Sequence, residues 1–412
     1  MISEIANKIK YYYTLIFIFS FFPSFVLGVF ATNLVCISFV LLNLFYNFKK
    51  IKKMISDYWQ FVILFFLFYF ILILSSLFSG DIFHSLQSSA LYFIFCFYCL
   101  SIILLFIEDR KFIIYFFLIG LLTCLILSLD AIFELFNGHN IFGFSSVDGR
   151  IAGMFGNRWL IGRYFIYLLP IFVGIYFLEI KSLIKYKIFF YSTILLMSLI
   201  IIFSGERAAF IMFFIYLILI FLILLRKINT KKLFIFSAIS LFLIIIPFLF
   251  SETSSRIQNN FILYLTNSDV EKNQYLAMFI SAWKMFLDNP FFGVGPNNYR
   301  LFCSDSMYYV SKWSCSTHPH SITFQILAEV GIFGFLAIYS LFTYFALKCL
   351  KLILMQKLNY QSIGIFSINC SLLLYFFPFM ITGNFFLSWY GFIFYLPIAI
   401  FLFYNNQSLK VN

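Results

Sequence analysis

The chain has 412 residues, 63% hydrophobic and 11% charged, with mean hydropathy +0.99 and formal net charge +12. Soluble domains carry roughly a quarter charged residues, and no water-facing surface hides this much apolar side chain. Composition excludes a soluble globular protein, and long runs without strand alternation exclude a barrel.

A spanning helix needs about 20 apolar residues. Runs of that kind lie near 11–29, 31–47, 60–78, 89–107, 112–135, 161–180, 188–203, 208–225, 233–251, 322–347, 362–382 and 386–404. The fold class expected is therefore an all-α integral membrane protein with about 12 transmembrane helices, forming one polytopic domain over 1–412. The first run ends in VFATNL without a small-residue cleavage site and reads as a retained span.

Basic residues set the orientation. With both termini in the cytoplasm, 19 of the 28 lysines and arginines fall on the inner side, as the positive-inside rule requires. The split by type is uneven. Of 20 lysines, 17 are inside, whereas six of eight arginines are outside: Arg150, Arg158, Arg163, Arg207, Arg256 and Arg300. All four histidines, His84, His139, His318 and His320, are outside too. Lysine is enough for topology. Arginine's planar fork suits phosphate or carboxylate. The net charge therefore does not point to nucleic acid.

Two outer segments are long. Residues 136–160 are rich in glycine, and 252–321 form a large extracytoplasmic loop of 70 residues. Within that loop, 270–289 has apolar residues at helical spacing and is expected to form an amphipathic helix on the outer surface, ended by Pro290. Cys303 and Cys315 lie in the same loop, in a compartment that permits disulfides, and are expected to pair.

Polar residues then concentrate in a few places. CSTHPHSITFQILAEVGIFGF (315–335) puts His318 and His320 at the mouth of an apolar run. Ser321 is a candidate helix cap, and Ser321, Gln325 and Glu329 share one helical stripe. Glu329 sits about 12 Å below the helix start, so it should face the bundle interior and find a partner. Gly331 and Gly334 are expected to admit a neighbouring helix. The His-x-His pair also fits metal, but no cysteine or carboxylate cluster has zinc-like spacing, and no cofactor is expected. SGERAAF (204–210) pins Glu206 and Arg207 at the outer face. They form either a self-satisfied pair or a phosphate site. GVGPNNYR (293–300) is a turn ending in Arg300. DGRIAGMFGNRWLIGRYF (148–165) carries Arg150, Arg158 and Arg163, either headgroup anchors beside Trp159 or ligands of an anionic substrate. Asp130 and Glu134 stand one turn apart and either pair with those arginines or supply a base.

In this order, SGERAAF, NPFFGVGPNNYR and CSTHPHSITFQILAEVGIFGF resemble the motifs of the O-antigen ligase and O-antigen polymerase superfamily of bacterial inner-membrane glycan transferases. DAIFELFNGHNIFG and GRIAGMFGN fit the same pattern, so the motif-bearing region covers 128–335. The resemblance implies a multi-pass inner-membrane enzyme whose site faces the periplasm. It implies transfer of a glycan from undecaprenyl diphosphate to a sugar hydroxyl, with inversion and without metal. The acceptor is lipid A–core in a ligase and another lipid-linked repeat unit in a polymerase. Arg207, His318 and His320 are the implied catalytic residues. Arg300, Arg150, Arg158, Arg163, Lys272 and Glu329 are candidates for binding the diphosphate and glycan. Three departures from the family pattern involve four residues. Ser321 replaces the usual asparagine. Lys272 precedes the surface helix where relatives often carry arginine or histidine. Arg158 and Arg163 stand where many relatives have an acidic and a small residue. A twelve-span transporter is the competing class, but its charges would lie near the midplane and its halves would match.

Overall fold

The computed structural model describes residues 2–145, 150–225, 269–355, 359–378 and 380–411. Its elements are α1 (Ile2–Leu27), α2 (Val29–Tyr46), α3 (Phe48–Asp57), α4 (Trp59–Leu77), α5 (Ile82–Ser89), α6 (Ile94–Glu108), α7 (Lys111–Asn137), α8 (Ile161–Leu178), α9 (Ile180–Leu183), α10 (Lys187–Phe203), α11 (Arg207–Leu224), α12 (Gln274–Asp288), α13 (Tyr299–Phe302), α14 (Ile322–Leu354), α15 (Tyr360–Tyr375) and α16 (Ser388–Val411). No strand occurs among the described residues, where pairing outside helices is limited to an isolated bridge between His139 and Ser145.

Ten helices among the described residues are long and apolar enough to cross a membrane. The expected span at 233–251 lies outside the described residues, as do 252–268 of the large loop. The span expected at 362–382 needs correction. α15 ends at Tyr375, and the described residues 376–378 and 380–387 are not helical. Pro378 and Gly383 in this stretch disfavour helix, and its backbone has partners elsewhere.

Many of the helix contacts run through small residues and hydroxyls. Gly174 of α8 and Gly364 of α15 face each other so closely that a Cβ on Gly364 would come within 2.8 Å of the Gly174 carbonyl. Ser367 donates to the Pro170 carbonyl at 2.8 Å and Ser371 to the Tyr167 carbonyl at 3.2 Å. Such contacts hold helices together where lipid removes the hydrophobic drive between them. Phenylalanine fills the remainder: Phe21, Phe22, Phe116 and Phe172 interlock across α1, α7 and α8. Arg110 pairs with Glu179 at 2.9 Å, and the Tyr404 hydroxyl donates to the same carboxylate.

The large loop has its own small core. α12 turns Met278, Ala282 and Met285 toward Val294, Tyr299, Cys303, Tyr308 and Ala328. Asn273 caps α12 by accepting the Leu276 amide, and Phe279 stacks on Phe324 of α14 at 4.6 Å. Cys303 and Cys315 are joined in a disulfide, with Cα atoms 5.1 Å apart.

Candidate functional site

The site begins with an interruption in α14. Gly331 has φ 73° and ψ −165°, which no helix contains. Two carbonyls near the break find partners in the Gly-Val-Gly turn, where the Val294 amide donates to the Ala328 carbonyl at 2.8 Å and the Gly295 amide to Glu329 at 3.0 Å. Beyond the break, the Ile332 amide donates to the Pro290 carbonyl. A Cβ on Gly293 would lie 2.4 Å from the Glu329 backbone, and one on Gly331 only 2.3 Å from the Phe291 carbonyl. The close approach expected at Gly331 is therefore made by loop backbone and not by a helix. At Gly334 the nearest groups are Val330 and Ile326 of the same helix.

Glu329 is fully buried beneath this joint. It accepts the Tyr299 amide at 2.9 Å and the Gln325 side-chain amide at 2.9 Å. The stripe from Ser321 to Glu329 thus faces inward. In this structure the Glu329 carboxylate fixes α13, and with it Arg300, rather than meeting solvent. Gln325 also donates to Asn384 at 2.7 Å, and Asn384 donates to Asn297 at 3.0 Å. Arg300 donates to the same Asn297 oxygen at 2.8 Å.

His318 and His320 lie just before the N-terminus of α14, their ring centroids 4.2 Å apart. His318 is buried. Its Nε2 is 3.2 Å from the Thr382 carbonyl and its Nδ1 is 3.0 Å from the Thr317 hydroxyl. A carbonyl can only accept, so Nε2 carries the proton and Nδ1 accepts from Thr317. His320 adopts φ 55°, in the left-handed region. Its Nε2 lies 3.2 Å from the Ser316 hydroxyl. Burial, His320 and the guanidiniums of Arg163 and Arg300 push His318 down to about 3, against one raising contribution from its bond to Thr382. Burial and Arg163 push His320 down to about 4. Both rings are neutral at neutral pH.

Arg207 opens α11, directly after a turn made by Gly205 at φ 69°. Its guanidinium carbon lies 5.9 Å from the Tyr275 ring centroid, and that ring stands edge-to-face with His320 at 6.0 Å. Tyr275 of α12 thus links Arg207 to the histidine pair. Glu206 does not pair with Arg207. It binds the Arg163 Nε at 2.7 Å and accepts the Gly162 amide at 2.8 Å. Arg163 also donates to the Tyr390 hydroxyl and the Trp159 carbonyl.

The other predicted residues have separate surroundings. Arg158 donates to the Val26 carbonyl near the end of α1 and to Phe155. Arg150 lies over the Trp159 ring at 4.4 Å. Lys272 is exposed, with its amine 3.4 Å from Asp269. Asp130 accepts the Ile141 amide, and Glu134 those of Ala152 and Gly153. These two carboxylates pin the glycine-rich loop by its backbone. Ser321 occupies the N-cap position of α14 but makes no cap bond. Thr382 does so instead, accepting the Ile322 amide at 3.0 Å. Among the described residues no group of three or more His, Cys, Asp or Glu comes together as metal ligands would.

Sequence reasoning missed Tyr275, Thr382, Asn384 and Asn297. Tyr275 was hidden in a helix read only for its amphipathic pattern. The signal for the next two was the polar Thr-Gly-Asn between apolar runs.

No curated protein matches the chain. Residues 192–339 match the O-antigen ligase family model, a stretch that runs from α10 into α14 and contains Arg207, Tyr275, Arg300, both clustered histidines and Glu329. The match over residues 192–339 supports a place for the chain in the O-antigen ligase/polymerase superfamily.

Proposed function

We propose that this multi-pass membrane protein transfers a glycan from undecaprenyl diphosphate to a sugar hydroxyl of lipid A–core, at the periplasmic face of the inner membrane. The domain match supports a ligase- or polymerase-type role in surface polysaccharide synthesis. One observation carries the finer reading: a pair of neutral histidines beside Tyr275 and Arg207, within the field of Arg163 and Arg300.

In this mechanism the acceptor oxygen attacks the anomeric carbon from the face opposite the diphosphate. The bond between that carbon and the phosphate oxygen breaks, and the configuration inverts. His318 has both ring nitrogens engaged with Thr382 and Thr317, so it orients the site and His320 takes the acceptor proton. Arg207 and Arg300 stabilise the charge growing on the leaving diphosphate, a contribution of about 3 kcal/mol per well-placed donor. No resident metal or cofactor enters the scheme. Membrane lipid surrounds the donor's polyprenyl chain.

A repeat-unit polymerase would use the same donor chemistry with a lipid-linked glycan as acceptor. A deletion strain decides between them through its surface-polysaccharide ladder. Loss of the ligase leaves long chains on the carrier lipid, and loss of a polymerase leaves single repeat units on the core. An unchanged ladder would overturn both.

A further inference from the structure

We infer that residues 382–385, Thr-Gly-Asn-Phe in the loop before α16, form a positioning clamp that sets both the histidine pair and Arg300. This rests on the glycan-transfer reading for what the positioned groups do, but not for the geometry. The segment lies beyond the matched stretch of 192–339.

Five groups of this segment make the contacts. The Thr382 carbonyl accepts from His318 Nε2 and so fixes its tautomer. The Thr382 amide donates to the His320 carbonyl at 2.8 Å, holding that residue in its left-handed conformation. The Thr382 hydroxyl accepts the Ile322 amide and replaces the cap that Ser321 leaves unmade. Two residues on, Asn384 joins Gln325 to Asn297, which in turn takes Arg300. The Phe385 amide donates to the Gln325 oxygen at 2.9 Å, closing the network. Gly383 is required because a Cβ there would lie 2.1 Å from the Tyr390 ring. The clamp is thus one short segment with a histidine arm and an arginine arm. Thr382 and Asn384 act through the groups they hold and are positioning residues.

The two arms predict different kinetics. Thr382→Val keeps the shape but loses the cap, so kcat should fall about tenfold, the scale of a lost charge-free hydrogen bond, with donor KM little changed. Thr382→Ser restores the hydroxyl and should restore kcat. Asn384→Ala loosens Arg300, which meets the donor diphosphate both before and during bond breaking, and should raise donor KM several-fold as well as lower kcat. The chain has only four histidines, so nitrogen NMR of the imidazoles can follow them individually in full-length protein in lipid. Wild-type His318 should show a protonated Nε2, and Thr382→Val should perturb the His318 and His320 signals while leaving those of His84 and His139 in place. Unmoved His318 and His320 signals in Thr382→Val, or equal kcat for the valine and serine variants, would overturn the clamp. If wild-type protein transfers no glycan, the functional reading fails, and the NMR result still decides the clamp.

Discussion

Two groups of arginines, all expected on the outer side, look alike in the sequence and differ in the structure. Arg158 and Arg163 flank the start of α8, and their guanidiniums hold architecture: one ties the end of α1, the other is locked between Glu206, Tyr390 and Trp159. Arg207 and Arg300 belong to the histidine side of the site, through Tyr275 and through Asn297 respectively. The difference shows that an arginine is informative only with its partners known. The Glu206 carboxylate makes Arg163 a brace, and the Val26 carbonyl does the same for Arg158. The comparison is not absolute, since Arg163 still contributes positive field to both histidines.

Substitutions can break or sharpen this division. Replacing His320 or Arg207 with alanine should have the largest effect on activity, a loss of about a hundredfold or more in transfer, with protein abundance unchanged. Arg163→Ala should act on the other axis. It strands the buried Glu206 carboxylate, so a destabilisation of about 3 kcal/mol is expected, read as a lower melting temperature and reduced abundance. Arg158→Ala removes a charged hydrogen bond to main chain and should cost about 1–2 kcal/mol, with activity per folded molecule retained. Lys272→Ala should be close to neutral in both assays, because its pair with Asp269 is exposed and such pairs are worth little.

The pH dependence follows from the sign of the histidine shifts. Both are held below the ordinary value, to about 3 and about 4. A base is lost when it is protonated, so transfer should stay level as pH falls from about 8 to about 5 and decline only below that. An unperturbed histidine would give a decline near pH 6.5. Stability moves in the same sense. The unfolded chain binds more protons than the folded one between about pH 6.5 and pH 4, so the loop loses stability as pH falls through that window. Arg300→Ala removes a positive charge near His318 and should shift its titration upward, seen by imidazole NMR.

The membrane class and most of the helices were legible in the sequence because lipid imposes length and hydropathy on every span. The disulfide-bearing loop, the α12 helix and the inward stripe of α14 were legible through spacing. Glu329 was recognisable as a buried carboxylate, since a charge that deep needs partners. Gln325, one of its partners, shares its stripe, but the other was not legible, because the Tyr299 amide lies in a different motif. The use of Arg163 rather than Arg207 by Glu206 depends on which way two adjacent side chains leave a helix start, and residue spacing carries no such information. The clamp at Thr382 was absorbed into an expected span. Its three polar or small residues were too few to break an apolar run, yet the Thr382 carbonyl and hydroxyl bind a helix mouth some sixty residues away in sequence.

The central claim is that the histidine and Arg207 side of the outer face does the chemistry while the Arg158 side only supports it. The most direct measurement is glycan transfer from a purified lipid-diphosphate donor to lipid A–core in proteoliposomes, with wild-type, His320→Ala, Arg207→Ala and Arg158→Ala proteins at equal folded amounts. The account predicts near-wild-type transfer by Arg158→Ala and almost none by the other two. Full transfer by His320→Ala and Arg207→Ala, or loss confined to Arg158→Ala, would contradict it.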